Sequence, residues 1–124
     1  MQPPPVSLCP RFHHAVELIG RRWTGAIIST LMTGRARFNA IAAAIPDLSD
    51  RMLSERLREL EAEGIIQRMV IPETPVRVEY ELTDKGHALE DAMSALGKWA
   101  EAWIEPIPAP VAERSPEPES AVGA

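Results

Sequence analysis

The stretch IPDLSDRMLSERLRELEAEGIIQRMVIPETPVRVEYEL, residues Ile45 to Leu82, decides the fold of this 124-residue chain. Pro46 closes the helix before it, because the residue preceding a proline is pushed out of the helical region. Ser49 can cap a new helix, and Asp50 in the first turn complements the positive end of the helix dipole. Leu53, Leu57 and Leu60 then recur at i, i+4 and i+7, one apolar stripe. Arg51, Ser54, Glu55 and Arg58 fall on the other side. Gly64 is placed to end the helix in a left-handed turn. From there the period changes to two. Val76, Val78, Tyr80 and Leu82 alternate with Arg77, Glu79 and Glu81, the pattern of a half-buried strand. Ile65 to Ile71 is apolar with Gln67 and Arg68 inserted, a partner strand whose facing the pattern leaves open. Pro72-Glu73-Thr74-Pro75 joins the two. Proline cannot donate to a central ladder, so two of them suit a stiff tip.

A helix with an apolar floor and a donor-rich outer face, followed by a hairpin, is the grammar of a winged helix-turn-helix. The expected class is mainly α (α+β), with a two-stranded β-hairpin wing and dimerisation helices at both ends. An ordinary amphipathic surface helix shares the helical half of this pattern.

Moving toward the N-terminus, the Ala-rich segment from Asn39 to Ile45 reads as a helix. Arg37-Phe38 is a short link contributing at most one residue pair of strand. Trp23, Ile27, Ile28 and Leu31 form another helical stripe, with Thr24 as the expected N-cap and Gly34 as the stop. Cys9-Pro10 opens the first helix, since proline is favoured at a first helical position. Phe12, Ala15, Val16 and Ile19 share one of its faces, and Gly20 ends it. Toward the C-terminus, Thr83 caps a last helix, whose first turn tolerates Gly86 at some cost. From Leu89 its apolar positions fall in heptads. Leu89, Leu96 and Trp103 occupy one position, and Ala92 and Trp99 the next, with Met93 and Ala100 beside them. Such a seam wants a partner helix. The chain's own first helix and a second copy of the chain are the two choices. A homodimer is favoured, because a small domain has little core left to cover two tryptophans.

The length suits one domain. Its expected extent is residues 9–105, with a Pro-rich arm over 1–8 and an acidic Pro/Ala-rich tail over 106–124, both without a packed core. The single cysteine excludes an intramolecular disulfide and suits a reducing cytoplasm. MQPPPVSL lacks the basic and apolar parts of a secretory leader, and no apolar run is long enough to cross a bilayer.

Net charge is −5, which taken alone speaks against nucleic acid. Its distribution says more. Residues 21–58 hold seven arginines against three acids, a balance of +4, whereas residues 59–105 hold eleven acids against four bases, a balance of −7. The positive charge sits on the half that would read DNA.

Many short pieces in fixed order carry a resemblance. They are Cys9-Pro10, Ile19-Gly20 with Arg22-Trp23-Thr24, Arg37-Phe38, Ile45-Pro46 with Leu48-Ser49, Met52-Leu53, and Leu57 through Leu60-Glu61. They continue with Gly64-Ile65-Ile66, Arg68, Pro75-Val76-Arg77-Val78-Glu79-Tyr80, Leu82-Thr83, Gly86 and Trp99. In these the chain resembles the HxlR-type winged helix-turn-helix transcription regulators of bacteria, relatives of the MarR-like group, from Cys9 to about Ile104. It departs at Gly25, where a larger apolar residue is usual, and at Arg21-Arg22, where Gly-Lys is usual. The resemblance implies a bacterial homodimer that binds an inverted-repeat operator in double-stranded DNA as repressor or activator, in the cytoplasm that the single cysteine already suits. It also implies that a cysteine at the position of Cys9 senses oxidants or electrophiles in some members. The sequence offers no Gly-rich phosphate loop, no paired carboxylates and no nucleophile with a partnered base, so an enzyme is not expected.

DNA binding needs phosphate contacts for register and base-edge contacts for sequence. Base reading is assigned to Arg51, Ser54, Glu55 and Arg58, since arginine suits guanine and glutamate suits cytosine N4. Phosphate contacts are assigned to Thr24, Ser49, Arg37 and Arg77, the first two at helix N-termini. Cys9 opens a helix, with Arg11 and His13 near in sequence, so it is the redox-sensing candidate or merely a small retained residue. Leu89, Leu96, Trp99 and Trp103 are the expected dimer interface. Cys9, His13 and His14 are too few for a metal site, and no metal or other cofactor is expected. Two further readings stay open: a winged helix that docks proteins through its acidic half, and a dimer that also holds a small-molecule inducer near Trp23, Trp99 and Trp103.

Overall fold

The computed structural model describes residues 9–107. The proposed arm (residues 1–8) and the tail beyond Ile107 lie outside the described residues. The chain forms helices α1 (Pro10–Ile19), α2 (Thr24–Met32), α3 (Phe38–Ala44), α4 (Asp50–Ala62), α5 (Asp84–His87) and α6 (Glu90–Trp103), with strands β1 (Ala36–Arg37), β2 (Ile66–Ile71) and β3 (Arg77–Leu82).

Helix α4 forms where its signals place it. The Ser49 hydroxyl accepts from the Met52 amide at 3.1 Å, and Asp50 stands in the first turn. At the far end Gly64 adopts φ +79. Its amide donates to the Glu61 carbonyl at 3.0 Å and that of Ile65 to the Leu60 carbonyl at 2.9 Å. This pair of bonds satisfies carbonyls the helix end would otherwise leave open. Leu53, Leu57 and Leu60 are at most 2% exposed. They meet Ile27, Ile28 and Leu31 of α2, Ile41 of α3, and Ile45, Leu48, Ile65, Ile66 and Leu82 in one core. Fully burying one such side chain contributes roughly 1.5–3 kcal/mol, so these contacts hold the helix-turn-helix in place.

The wing is wider than a two-stranded hairpin. β1 joins β3 antiparallel, giving the order β1-β3-β2, with Ala36 opposite Tyr80 and Arg68 opposite Tyr80 on the other side. The two-residue strand falls on Ala36–Arg37, one residue earlier than Arg37-Phe38, and Phe38 already belongs to α3.

Two helix starts differ from expectation. The N-cap of α2 is Trp23, not Thr24; Trp23 takes φ +80, and Thr24 is the first helical residue. The last helix is two: α5 is a single turn capped by Thr83, whose hydroxyl accepts from the Gly86 amide at 3.1 Å, and α6 starts at Glu90. Gly86 is required rather than tolerated. A Cβ there would stand 2.2 Å from the Ile65 carbonyl oxygen, so only glycine lets α5 lie against the end of α4. Thr83 and Lys85 complete that junction by donating to the carbonyls of Gly64 and Glu63.

The two terminal helices bury little. Leu89 and Met93 pack on the core, but Leu96, Trp99 and Trp103 are 56%, 55% and 76% exposed. Phe12 and Val16 of α1 are exposed as well. Among the described residues no helix is long and apolar enough to cross a membrane.

Candidate nucleic-acid interface

The face of α4 opposite its leucines is free for contact. Arg51 has a side chain 90% exposed, tied only loosely to Glu55 at 3.8 Å, and Arg58 is exposed. Ser54 and Glu55 stand half-buried between them. These four residues recur at i, i+3, i+4 and i+7, so the structure brings all the expected base-reading residues onto one stripe. Arg58 also borders a cleft with Ser54, Glu61, Arg68 and Tyr80, which places the sheet beside the reading helix. Arg68 makes no ion pair among the described residues and belongs with the candidate contacts. Its position opposite Tyr80, on the sheet face turned to α4, could not be set from a strand whose facing was ambiguous.

The expected phosphate ligands divide. Ser49 is exposed at the N-terminus of α4, and its hydroxyl keeps a hydrogen to donate after accepting from Met52. Arg37 is exposed, makes no ion pair among the described residues, and borders a cleft between α3 and the wing with Asn39 and Val76. Thr24 is corrected. It is 1% exposed in the core, and its amide already donates to the Arg21 carbonyl at 3.1 Å, so neither its hydroxyl nor its helix end faces a phosphate. Arg77 is also corrected as a free cation. Its Nε lies 2.9 Å from Glu79 and its Nη2 3.0 Å from Glu73, and Glu79 further holds Arg35 at 3.5 Å. Residues 77 and 79 share a strand face, which brings the pair together.

The positive balance of residues 21–58 is therefore partly internal. Arg21 and Arg56 both bind Glu59, Arg35 binds Glu79, and the Arg22 guanidinium lies 4.8 Å over the Trp23 ring centroid. Arg37, Arg51 and Arg58 remain to face a polyanion.

Cys9 is the N-cap residue of α1, half-buried, and free of a disulfide. Neither Arg11 nor His13 makes an ion pair or hydrogen bond with its sulfur; His13 meets Cys9 only through its amide, 3.0 Å from the Cys9 carbonyl. His14, the third residue weighed for metal, binds Glu63 at 2.8 Å instead. Trp23 packs on the core while Trp99 and Trp103 are exposed on α6.

A core built by α2, α3 and α4, with α4 capped and its polar side turned outward, beside a three-stranded wing, defines the winged helix-turn-helix class. Residues 18–108 match the family model of the HxlR-like helix-turn-helix, and the chain belongs to that family of transcription regulators. It is 54% identical over 100 residues to the helix-turn-helix regulator YvaP of Bacillus subtilis, itself uncharacterised, covering 81% of this chain and 93% of YvaP. It is also similar to the reduced form of the transcriptional regulator YodB from B. subtilis. That structure superposes with a TM-score of 0.74 at 46% identity, covering 82% of this chain and 99% of YodB. YodB is known in diamide-treated and quinone-bound forms as well. The redox regulator HypR in its oxidised form superposes with a TM-score of 0.72 at 36% identity, covering 78% of this chain and 99% of HypR.

Proposed function

We propose that this regulator binds an inverted-repeat operator as a homodimer, each protomer laying α4 in a major groove. The observation that carries this is the outward stripe of Arg51, Ser54, Glu55 and Arg58, exposed at its two arginines and half-buried between them, on a helix whose opposite side is locked into the core. Register is assigned to phosphate contacts from Ser49, Arg37 and Arg68. The exposed apolar residues of α1 and α6 support pairing of two copies, which would present two α4 helices about one DNA turn apart. The domain is assigned to residues 9–105 and its place of work to the bacterial cytoplasm. The test is selection of duplexes from random DNA, followed by gel shift. Arg51→Glu should abolish the shift and leave the dimer intact in ultracentrifugation; retained binding would sink the assignment. Affinity should also fall steeply with salt, as counterion release requires. Flat salt dependence would favour the protein-docking reading of the acidic half.

The forms in which YodB is known favour a second element, a thiol switch at Cys9. The chain holds one cysteine, so the second sulfur of any disulfide comes from another molecule, the partner's Cys9 or a small thiol. Diamide would take two electrons and two protons from the two thiols. A quinone would instead add the Cys9 sulfur at a ring carbon, the thiol proton passing to the quinone to leave a hydroquinone thioether. Diamide should change the operator affinity of the wild type and not of Cys9→Ser. Equal responses would remove the switch.

A further inference from the structure

Three arginines lie along α4, Arg51, Arg56 and Arg58, but Arg56 turns the other way. Arg56 lies three residues after Leu53 and four before Leu60, about 140° around the helix axis from Arg51. Its side chain is 12% exposed. Nε donates to the Arg22 carbonyl oxygen at 3.0 Å, and Nη1 donates to both carboxylate oxygens of Glu59 at 3.2 and 3.1 Å. Glu59 in turn accepts from Arg21 Nη1 at 3.0 Å. One Arg–Glu pair on the back of α4 therefore grips two successive residues of the α1–α2 elbow, one by its side chain and one by its backbone. One turn further along α4, Glu63 meets His14 of α1 at 2.8 Å.

The elbow is a place that needs holding. Trp23 follows the gripped carbonyl and sits at φ +80, a conformation that costs a bulky L-residue about 1–3 kcal/mol and persists only where the surroundings enforce it. The leucine floor of α4 supplies most of its attachment and fixes which side faces the core, but the hydrophobic term is non-directional and sets the last degrees of rotation less sharply than hydrogen bonds of defined geometry. The bonds from Arg56 add that directional constraint.

We propose that Arg56 is a positioning residue for DNA recognition: it latches the α1–α2 elbow to the back of α4 and so sets the rotation at which the reading face meets base edges. The proposal rests on the DNA-binding reading above. It also makes α4 the element that a displacement of α1 would move.

The test uses the full chain, the duplex selected from random DNA, and a scrambled duplex of equal length, with folding checked by circular dichroism. A turned helix loses base edges but keeps its charge near the backbone. Arg56→Met is therefore expected to lose about tenfold in affinity for the selected duplex, the size of one charge-assisted hydrogen bond. Its affinity for the scrambled duplex and its salt slope should match the wild type, and Arg56→Lys should recover part of the loss. Arg37→Gln, assigned to phosphate, should instead weaken both duplexes and lower the salt slope by about one. Wild-type discrimination in Arg56→Met overturns the latch, and so does a slope lowered by about one, which would make Arg56 a phosphate contact. Should Arg56→Met fail to fold, Glu59→Gln opens the same latch from its other side: lost discrimination at an unchanged slope supports the proposal, and wild-type discrimination overturns it. A wild type that binds no duplex in a salt-dependent way overturns the DNA reading itself, whatever Arg56 does.

Discussion

Helices α4 and α6 are 13 and 14 residues long, both amphipathic, and used in opposite ways. α4 buries its whole apolar stripe inside its own chain and turns its polar side outward. α6 buries only its beginning, through Leu89 and Met93, and leaves Leu96, Trp99 and Trp103 in solvent. The contrast separates two demands on a small domain. A helix that reads another molecule must be held rigidly from behind, and twelve buried apolar residues do that for α4. A helix proposed to join another copy, as α6 is above, must keep its apolar side uncommitted. Contiguous exposed aromatic surface of this kind marks interaction sites.

The sharpest way to break the comparison is to weaken the floor of α4. Leu53 is fully buried beneath Arg51 and Ser54. Leu53→Ala removes its contacts and leaves a cavity, at an expected cost of about 2–5 kcal/mol. That is a large part of the total stability of a domain this size. Urea denaturation at one protomer concentration should show the midpoint falling. An unchanged midpoint would mean that the reading helix is not held by its leucines.

What the chain discloses of itself follows the same division. Ser49, the leucine spacing and Gly64 are local signals that agree with the packed structure, so α4 and the outward polar stripe proposed to read DNA were legible from residues alone. The start of α2 was not. Threonine is a good cap by type, but Trp23 is turned left-handed by its surroundings, against its own preference, and Thr24 is drawn into the core. Arg56 and Arg58 look alike as residues. The signal separating them was present in the spacing of Arg56 from Leu53 and Leu60, but its partner on the elbow, the Arg22 carbonyl, lies 34 residues away, beyond any local pattern. Arg77 failed for a nearer reason: its neighbours Glu73 and Glu79 stand within reach on the wing, and a basic residue counted singly hides the carboxylates that hold it. The heptads of the last helix were legible as apolar spacing. They could not show that Leu89 and Met93 serve the core while the later positions do not, because that depends on where the helix leaves the domain.

Leu96→Glu tests the other side of the comparison, with the smallest expected effect on the fold of the protomer. Leu96 is 56% exposed, so the substitution removes little within its own chain, and surface changes of that kind are usually within about 0.5 kcal/mol. In a dimer seam the same residue would leave a carboxylate facing an apolar partner. A central interface position costs about 2 kcal/mol or more on truncation, so the dissociation constant should rise roughly thirtyfold or beyond, read by analytical ultracentrifugation. The wild-type denaturation midpoint should rise with protomer concentration, and that dependence should vanish in the variant, because a partner stabilises the fold by mass action. If the variant stays as dimeric as the wild type, the exposed end of α6 is not the seam. The uncommitted surface would then be that of α1, where Phe12 and Val16 lie open.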